Sequence, residues 1–230
     1  MPSGSDNGRA VILISAGGFL SAVLSAALSH GRDDSIAPGI VFGIALSLCV
    51  LLSGIADARR AALLIPVSFV AFFFALCAAI GLQIVFPQIV PANEQWSMSV
   101  KEPASPVALV ISGSAGGLIL FGGVFVAIER RRGDGALVLR LFEGMVLGGV
   151  LAGIGWALRS TVGVAVWHVF HSMGVTPFWE LSPRQAFGDE MDYSETSRMY
   201  SLFVVWQTCI AVALAFMIRG CERDADRQLP

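Results

Sequence analysis

The side chains best suited to metal chemistry are the three histidines, His30, His168 and His171. A helix through His168 and His171, which are three residues apart, places both imidazoles on one face. With His30 they would offer three nitrogen ligands to Zn or Cu on the outer face of a membrane. Polar aromatic side chains are also common at a membrane–water interface, which gives a simpler interpretation without metal. The sequence leaves both interpretations open and predicts no other cofactor.

A second candidate site is a pair of opposite charges, Arg140 and Glu143, near the start of an apolar segment. Charged side chains within membrane segments are costly and often mark binding or proton-transfer sites. These two are also spaced to pair with each other at the membrane surface. The uncharged candidates for hydrogen bonds between helices are Gln83, Gln207, Ser68 and Thr208.

Glycines at four-residue spacing form a third candidate, with Gly113 and Gly117 in one apolar segment and Gly144 and Gly148 in the next. Small residues at this spacing let helix backbones approach closely in a bilayer, where apolar side chains alone give little driving force for association. Close helix packing is one interpretation, and a binding pathway lined by backbone is the other.

Catalytic residues are not predicted. The sequence has no H-E-x-x-H helix and no phosphate-binding loop ending in Lys-Ser or Lys-Thr. Its four cysteines include no C-x-x-C pair. These observations favour a role other than that of an enzyme.

The amino-acid composition indicates the class of protein in which these candidate residues lie. Of 230 residues, 55 % are hydrophobic and only 14 % are charged, too few charges to cover a small soluble domain. A net charge of −2 also argues against a nucleic-acid partner. The chain is predicted to be an all-α, multi-pass transmembrane helical bundle.

Six apolar segments are long enough to cross a hydrocarbon core about 30 Å thick, which takes about 20 helical residues. The predicted spans are residues 10–29, 38–56, 61–86, 107–128, 137–158 and 200–218. Residues 1–230 then form a single integral membrane domain, with outer loops at 87–106 and 159–199. An uncleaved first span is favoured over a signal peptide cut near Ser29, because its apolar run is longer than that of most signal peptides.

Arginine and lysine predict the orientation. With the N-terminus in the cytoplasm, ten of the fifteen basic residues fall on cytoplasmic segments, as the positive-inside rule expects of a bacterial inner-membrane protein. Both termini are then cytoplasmic. Residues 161–175 offer a seventh span, but this stretch is short and would move the arginines after residue 218 outside. An extension of the fifth helix, or a helix on the outer surface, is the preferred interpretation.

Similar amino-acid residues at corresponding positions of spans one and four, and of spans two and five, suggest an internal duplication. Gly39 and Gly43 correspond in this alignment to Gly144 and Gly148. Three spans per unit would make a 3+3 inverted repeat, an arrangement found in many transporters.

The function predicted first is therefore that of a small transporter, a channel or a membrane-complex subunit. The alternatives are a non-catalytic assembly or scaffolding subunit and an outer-face metal enzyme using the three histidines. Expected partners are membrane lipids, a second membrane protein that meets outer loop 159–199, and further copies of the chain.

Overall fold

A computed structural model describes residues 4–28, 37–85, 106–128, 134–173 and 193–227. The described elements are helical. They are α1 (Gly4–Leu28), α2 (Ala37–Leu52), α3 (Ala58–Val85), α4 (Pro106–Ile128), α5 (Asp134–Ala157), a π-helical turn (Arg159–Gly163), α6 (Val164–Ser172) and α7 (Tyr193–Arg227). The predicted all-α class is confirmed.

Five helices in the described part of the chain are long and apolar enough to cross a membrane: α1, α3, α4, α5 and α7. The remaining predicted span corresponds to α2, which has 16 residues and is shorter than the predicted 38–56. Its length at 1.5 Å per residue is about 24 Å. Of the six predicted spans, five therefore correspond to long helices in the described part of the chain, and the sixth corresponds to the shorter α2.

The early end of α2 has a local cause. Gly54 adopts a left-handed conformation with φ 70°, which favours glycine. The N–H of Ile55 donates to Val50 O and the N–H of Gly54 donates to Leu51 O, the two bonds that close a Schellman motif. Asp57 then caps α3 by accepting the backbone N–H of Arg60 at 2.9 Å. Apolar residues continue to Ala56, but the backbone has already turned.

Neighbouring long helices run in opposite directions. Each contacts the next along the chain, α5 contacts α7 directly, and α7 contacts α1. The order of contacts is reversed between neighbours, since Gly39 faces Phe72 whereas Gly43 faces Ile65. In the same way Gly113 faces Gly148 whereas Gly117 faces Gly144. The start of α1, the α2–α3 turn, the start of α5 and the end of α7 therefore lie at one end of the bundle.

The surface of the bundle is apolar while part of its interior is polar. Among the buried residues are Ser21, Ser25, Ser68, Ser201 and Gln207. Large aliphatic and aromatic side chains are exposed along α1, α2, α3 and α5. In water such a surface would aggregate, whereas in lipid it is the expected arrangement. The described bundle has the features of an integral membrane protein.

The segment after α5 is helical as far as Ser172, in keeping with the preferred interpretation of residues 161–175. Residues 159–172, assigned to outer loop 159–199, form the π-helical turn and α6, and α7 begins at Tyr193. The nine residues of α6 are too few to cross a bilayer. Val166 of α6 packs against Ala26 of α1, so this short helix covers one end of the bundle. Its position agrees with an extension of the fifth helix.

The glycines that suggested an internal repeat face different neighbours. Gly39 and Gly43 contact Phe72, Ile65 and Ser68 of α3, the following span. A repeat that pairs α2 with α5 would place Gly144 and Gly148 against α7, but their closest contacts are with Gly117 and Gly113 of α4. The contacts therefore do not support this pairing of glycines.

Candidate functional site

Helices α4 and α5 cross in close backbone contact at the four predicted glycines. A Cβ atom at Gly113 would overlap Gly148 O, and one at Gly117 would overlap Gly144 O. The reverse also holds, since a Cβ atom at Gly144 or Gly148 would overlap the carbonyl oxygen of its partner. Each backbone therefore occupies the space left by the missing side chains of the other.

This reciprocal contact accounts for the glycine stripes through close helix packing, one of the two interpretations that the sequence offered. The adjacent stripe is also covered by α4, because a Cβ atom at Gly149 would meet the hydroxyl of Ser114. Where the four glycines meet, the facing backbone occupies the position that a ligand would need. A binding role for these glycines stays a prediction.

The α4–α5 crossing is tied to the rest of the bundle by Trp206 of α7. Its indole Nε1 donates a 3.1 Å hydrogen bond to Gly148 O. Its ring meets Phe72 of α3 edge to face at 5.3 Å, and Phe72 in turn lies 6.5 Å from the ring of Phe42 in α2. The Trp206 side chain thus contacts α5 and α3 directly and is connected to α2 through Phe72. This role was not predicted, although a tryptophan deep within an apolar span is itself a signal.

Gln207, next to Trp206, links α7 to α1. The hydroxyls of Ser21 and Ser25 donate to Gln207 Oε1, each at 3.2 Å, and Gln207 Nε2 donates to Ser25 Oγ at 3.1 Å. All three side chains are fully buried. We call these three residues the α1–α7 polar cluster. The prediction that Gln207 forms hydrogen bonds between helices is confirmed.

Two other hydroxyls bind a neighbouring helix in the same way. Ser68 of α3 donates to Gly39 O at 2.8 Å, as predicted for Ser68, and Ser201 of α7 donates to Gly155 O at 2.7 Å. The hydroxyl of Thr208, in contrast, is buried and has no hydrogen-bond partner among the described residues. The side chain of Gln83 lies outside the described residues. Most of these polar side chains thus connect helices.

The predicted charge pair is present at the start of α5. Arg140 Nη1 lies 2.6 Å from Glu143 Oε2, and both side chains are partly buried, with 18 % and 35 % exposed. The pair lies at the end of the bundle that also carries the exposed Arg9, Arg59 and Arg60. This position matches the interfacial ion pair that the sequence offered, and a substrate-binding role stays a prediction.

The other end of α5 carries an arginine stacked on a tryptophan. The guanidinium carbon of Arg159 lies 3.8 Å from the centroid of the Trp156 ring. Arg159 Nη1 also donates to Trp156 O at 3.0 Å. The indole Nε1 of Trp156 is buried and has no hydrogen-bond partner in the part of the chain that the structure describes. A place for Trp156 at the outer membrane boundary is expected of an interfacial tryptophan, but its contact with Arg159 was not predicted.

The predicted metal site falls mostly outside what the structure describes. His30 lies outside the described residues, as does the side chain of His171, while His168 is exposed on α6. Within the described ranges no group of three metal-binding side chains is present. Zinc or copper binding by these histidines stays a prediction, and titration of the purified protein with Zn²⁺, compared with an H168A/H171A variant, tests it.

Comparison with models of protein families, with characterised proteins and with solved structures gave no match. Function is therefore inferred from the contacts described above.

Proposed function

We propose that this chain is a six-span protein of the bacterial inner membrane, with both termini in the cytoplasm, and that it acts as a non-catalytic subunit of a membrane complex. The observation that carries the proposal is the use of its glycines and most of its buried polar side chains in contacts between its own helices. A subunit that holds partners in place requires a stable bundle, and this one is closely interlocked.

The alternating helix directions support the proposed orientation. They bring Arg9, Arg59, Arg60 and Arg140 to one end of the bundle. Basic residues beside spans are retained in the cytoplasm, so this end is assigned to that side. With α2 as a short sixth span, both termini are cytoplasmic. The connection from α6 to α7 then lies on the outer side.

A protein partner has a candidate docking segment between α6 and α7. Residues 174–192 contain the acidic side chains Glu180, Asp189, Glu190 and Asp192, and they belong to the longest polar stretch of the sequence. Long connections of this kind commonly have a recognition role. We assign partner binding to this segment.

The test is the size of the detergent-solubilised protein expressed in its own host and in an unrelated bacterium. Two results together would support the proposal. The first is a larger particle in the protein's own host than in the unrelated host. The second is the loss of this difference when residues 176–190 are replaced by a Gly/Ser linker of equal length. A matched control replaces residues 89–103 of the other outer segment in the same way. A monomer in both hosts would contradict the proposal, and an equally large particle in both would indicate self-association instead.

A transporter or channel is the second candidate, favoured by the order of helices in the bundle. In a 3+3 repeat, a two-fold axis would exchange α1 with α4, α2 with α5 and α3 with α7. This exchange converts the contact between α3 and α4 into the contact between α7 and α1, and both contacts are present. The candidate predicts ion flux in proteoliposomes loaded with Na⁺-, K⁺- or Cl⁻-sensitive dyes. Flux above that of empty vesicles would favour it over the complex-subunit proposal.

A further inference from the structure

The stacked pair Trp156 and Arg159 lies where α5 leaves the membrane. Arg159 follows Arg140 by 19 residues along the chain. At 1.5 Å per helical residue this separation is about 28 Å, close to the thickness of a hydrocarbon core of about 30 Å. The two arginines therefore flank α5 at opposite membrane surfaces, and Arg159 lies at the level of the lipid headgroups.

Arg159 is held in one orientation. Its guanidinium is stacked on the Trp156 ring at 3.8 Å and donates to Trp156 O at 3.0 Å. A guanidinium carries five N–H donors in one plane, so most of them are left for another group. In the part of the chain that the structure describes, Arg159 has no carboxylate partner, unlike Arg140 and Arg60, which pair with Glu143 and Asp57.

An oriented guanidinium with free donors is suited to one class of ligand. Arginine donates two parallel N–H bonds to a phosphate, and a planar group fixed by stacking loses little freedom in doing so. Trp156 contributes by fixing the plane of the guanidinium. The free donors of Arg159 lie at headgroup depth, where phosphates are abundant.

We propose that Trp156 and Arg159 form a binding site for the phosphate group of an anionic phospholipid in the outer leaflet. A free phosphate ion offers the same chemistry, and the test separates the two sources. The site depends on the chain being embedded in a membrane, and its place in the outer leaflet rests on the proposed orientation, but the site does not depend on whether the chain belongs to a complex. Failure of the lipid site would therefore leave the proposed function unaffected.

The experiment measures phosphatidylglycerol bound to the protein by native mass spectrometry after exchange into mixed micelles with phosphatidylcholine. We expect the wild type to retain phosphatidylglycerol preferentially and R159Q to bind it at least about fivefold less, because the charged bidentate donor is lost. R159K should have an intermediate effect, because it keeps the charge but loses the bidentate geometry. The matched control is R59Q, an exposed arginine at the other end of the bundle.

Three outcomes would overturn the proposal. The first is equal binding by wild type and R159Q, and the second is an equal loss in R59Q, which would indicate a nonspecific basic surface. The third is displacement of the lipid from wild type by millimolar inorganic phosphate, which would assign the site to a free phosphate ion. Binding that depends on Arg159 and resists inorganic phosphate would support the lipid site.

Discussion

Gln207 illustrates how one side-chain amide can connect two helices in a bilayer, whose hydrocarbon chains form no hydrogen bonds. Its side chain is fully buried between α1 and α7 and binds Ser21 and Ser25. Hydrogen bonds of this kind within membranes contribute modestly, typically about 0.6 kcal/mol and up to about 1.7 kcal/mol, because the separated helices find other partners. The α1–α7 polar cluster therefore adds both stability and a fixed helix register.

We predict that Q207L lowers the free energy of unfolding in detergent by about 1 to 2 kcal/mol, because the amide is removed while two hydroxyls stay buried. Reversible unfolding in SDS, followed by circular dichroism, measures the change. T208V is the matched control on the same helix. Because the Thr208 hydroxyl has no partner, this variant should be neutral or slightly stabilising. Equal losses in both variants would contradict the assigned role of Gln207.

Trp206 should be more sensitive than Gln207, because its side chain contacts α3 and α5 at once. W206F removes the hydrogen bond to Gly148 O and part of the ring, and we expect a loss of about 1 to 3 kcal/mol. The same SDS unfolding measures it. Phe74, an exposed aromatic residue on α3, gives the comparison, since F74L should change stability by less than about 0.5 kcal/mol.

At the scale of elements, the α4–α5 crossing sets how closely two helices approach. We predict that G148A destabilises the bundle by about 1 to 3 kcal/mol, because the new methyl group overlaps Gly113 O and the helices must separate. Gly135, near the start of α5, has no atom within 4 Å of the position that a Cβ would occupy, so G135A is the control. Alanine favours helix there, and the stability of this variant should be unchanged or slightly higher.

Most elements could be predicted from the sequence because a bilayer imposes one requirement, long apolar helices, that composition reveals directly. The α4–α5 contact was also predictable in kind, since Gly113, Gly117, Gly144 and Gly148 have the spacing that permits it. The end of α2 was not predictable, because apolar residues continue past the Schellman motif at Gly54. Sequence also could not reveal which helix each glycine faces or that Arg159 folds back onto Trp156, since both depend on three-dimensional packing.

At the scale of the whole molecule, the alternating helices lead to a topology prediction. We expect a green fluorescent protein fused after Pro230 to be fluorescent and alkaline phosphatase at the same position to be inactive, because the proposed orientation places the C-terminus in the cytoplasm. Fusions after residue 100, in the predicted outer segment, should behave in the opposite way. Active phosphatase after Pro230 would contradict the proposed cytoplasmic C-terminus. If the fusions after residue 100 were reversed as well, the bundle would be inverted, and if they were not, the number of crossings would be odd.

The shortness of α2 also has a consequence for the surrounding lipid. Its outward side chains Ile40, Ile44 and Leu48 are exposed along a helix of 16 residues. This helix is about 6 Å shorter than an average hydrocarbon core, and each ångström of hydrophobic mismatch costs a fraction of a kcal/mol. With α2 as the proposed sixth span, acyl chains beside it must compress or tilt while those beside α3 need not. The molecule should therefore deform the bilayer unevenly and gather short-chain lipids along one flank.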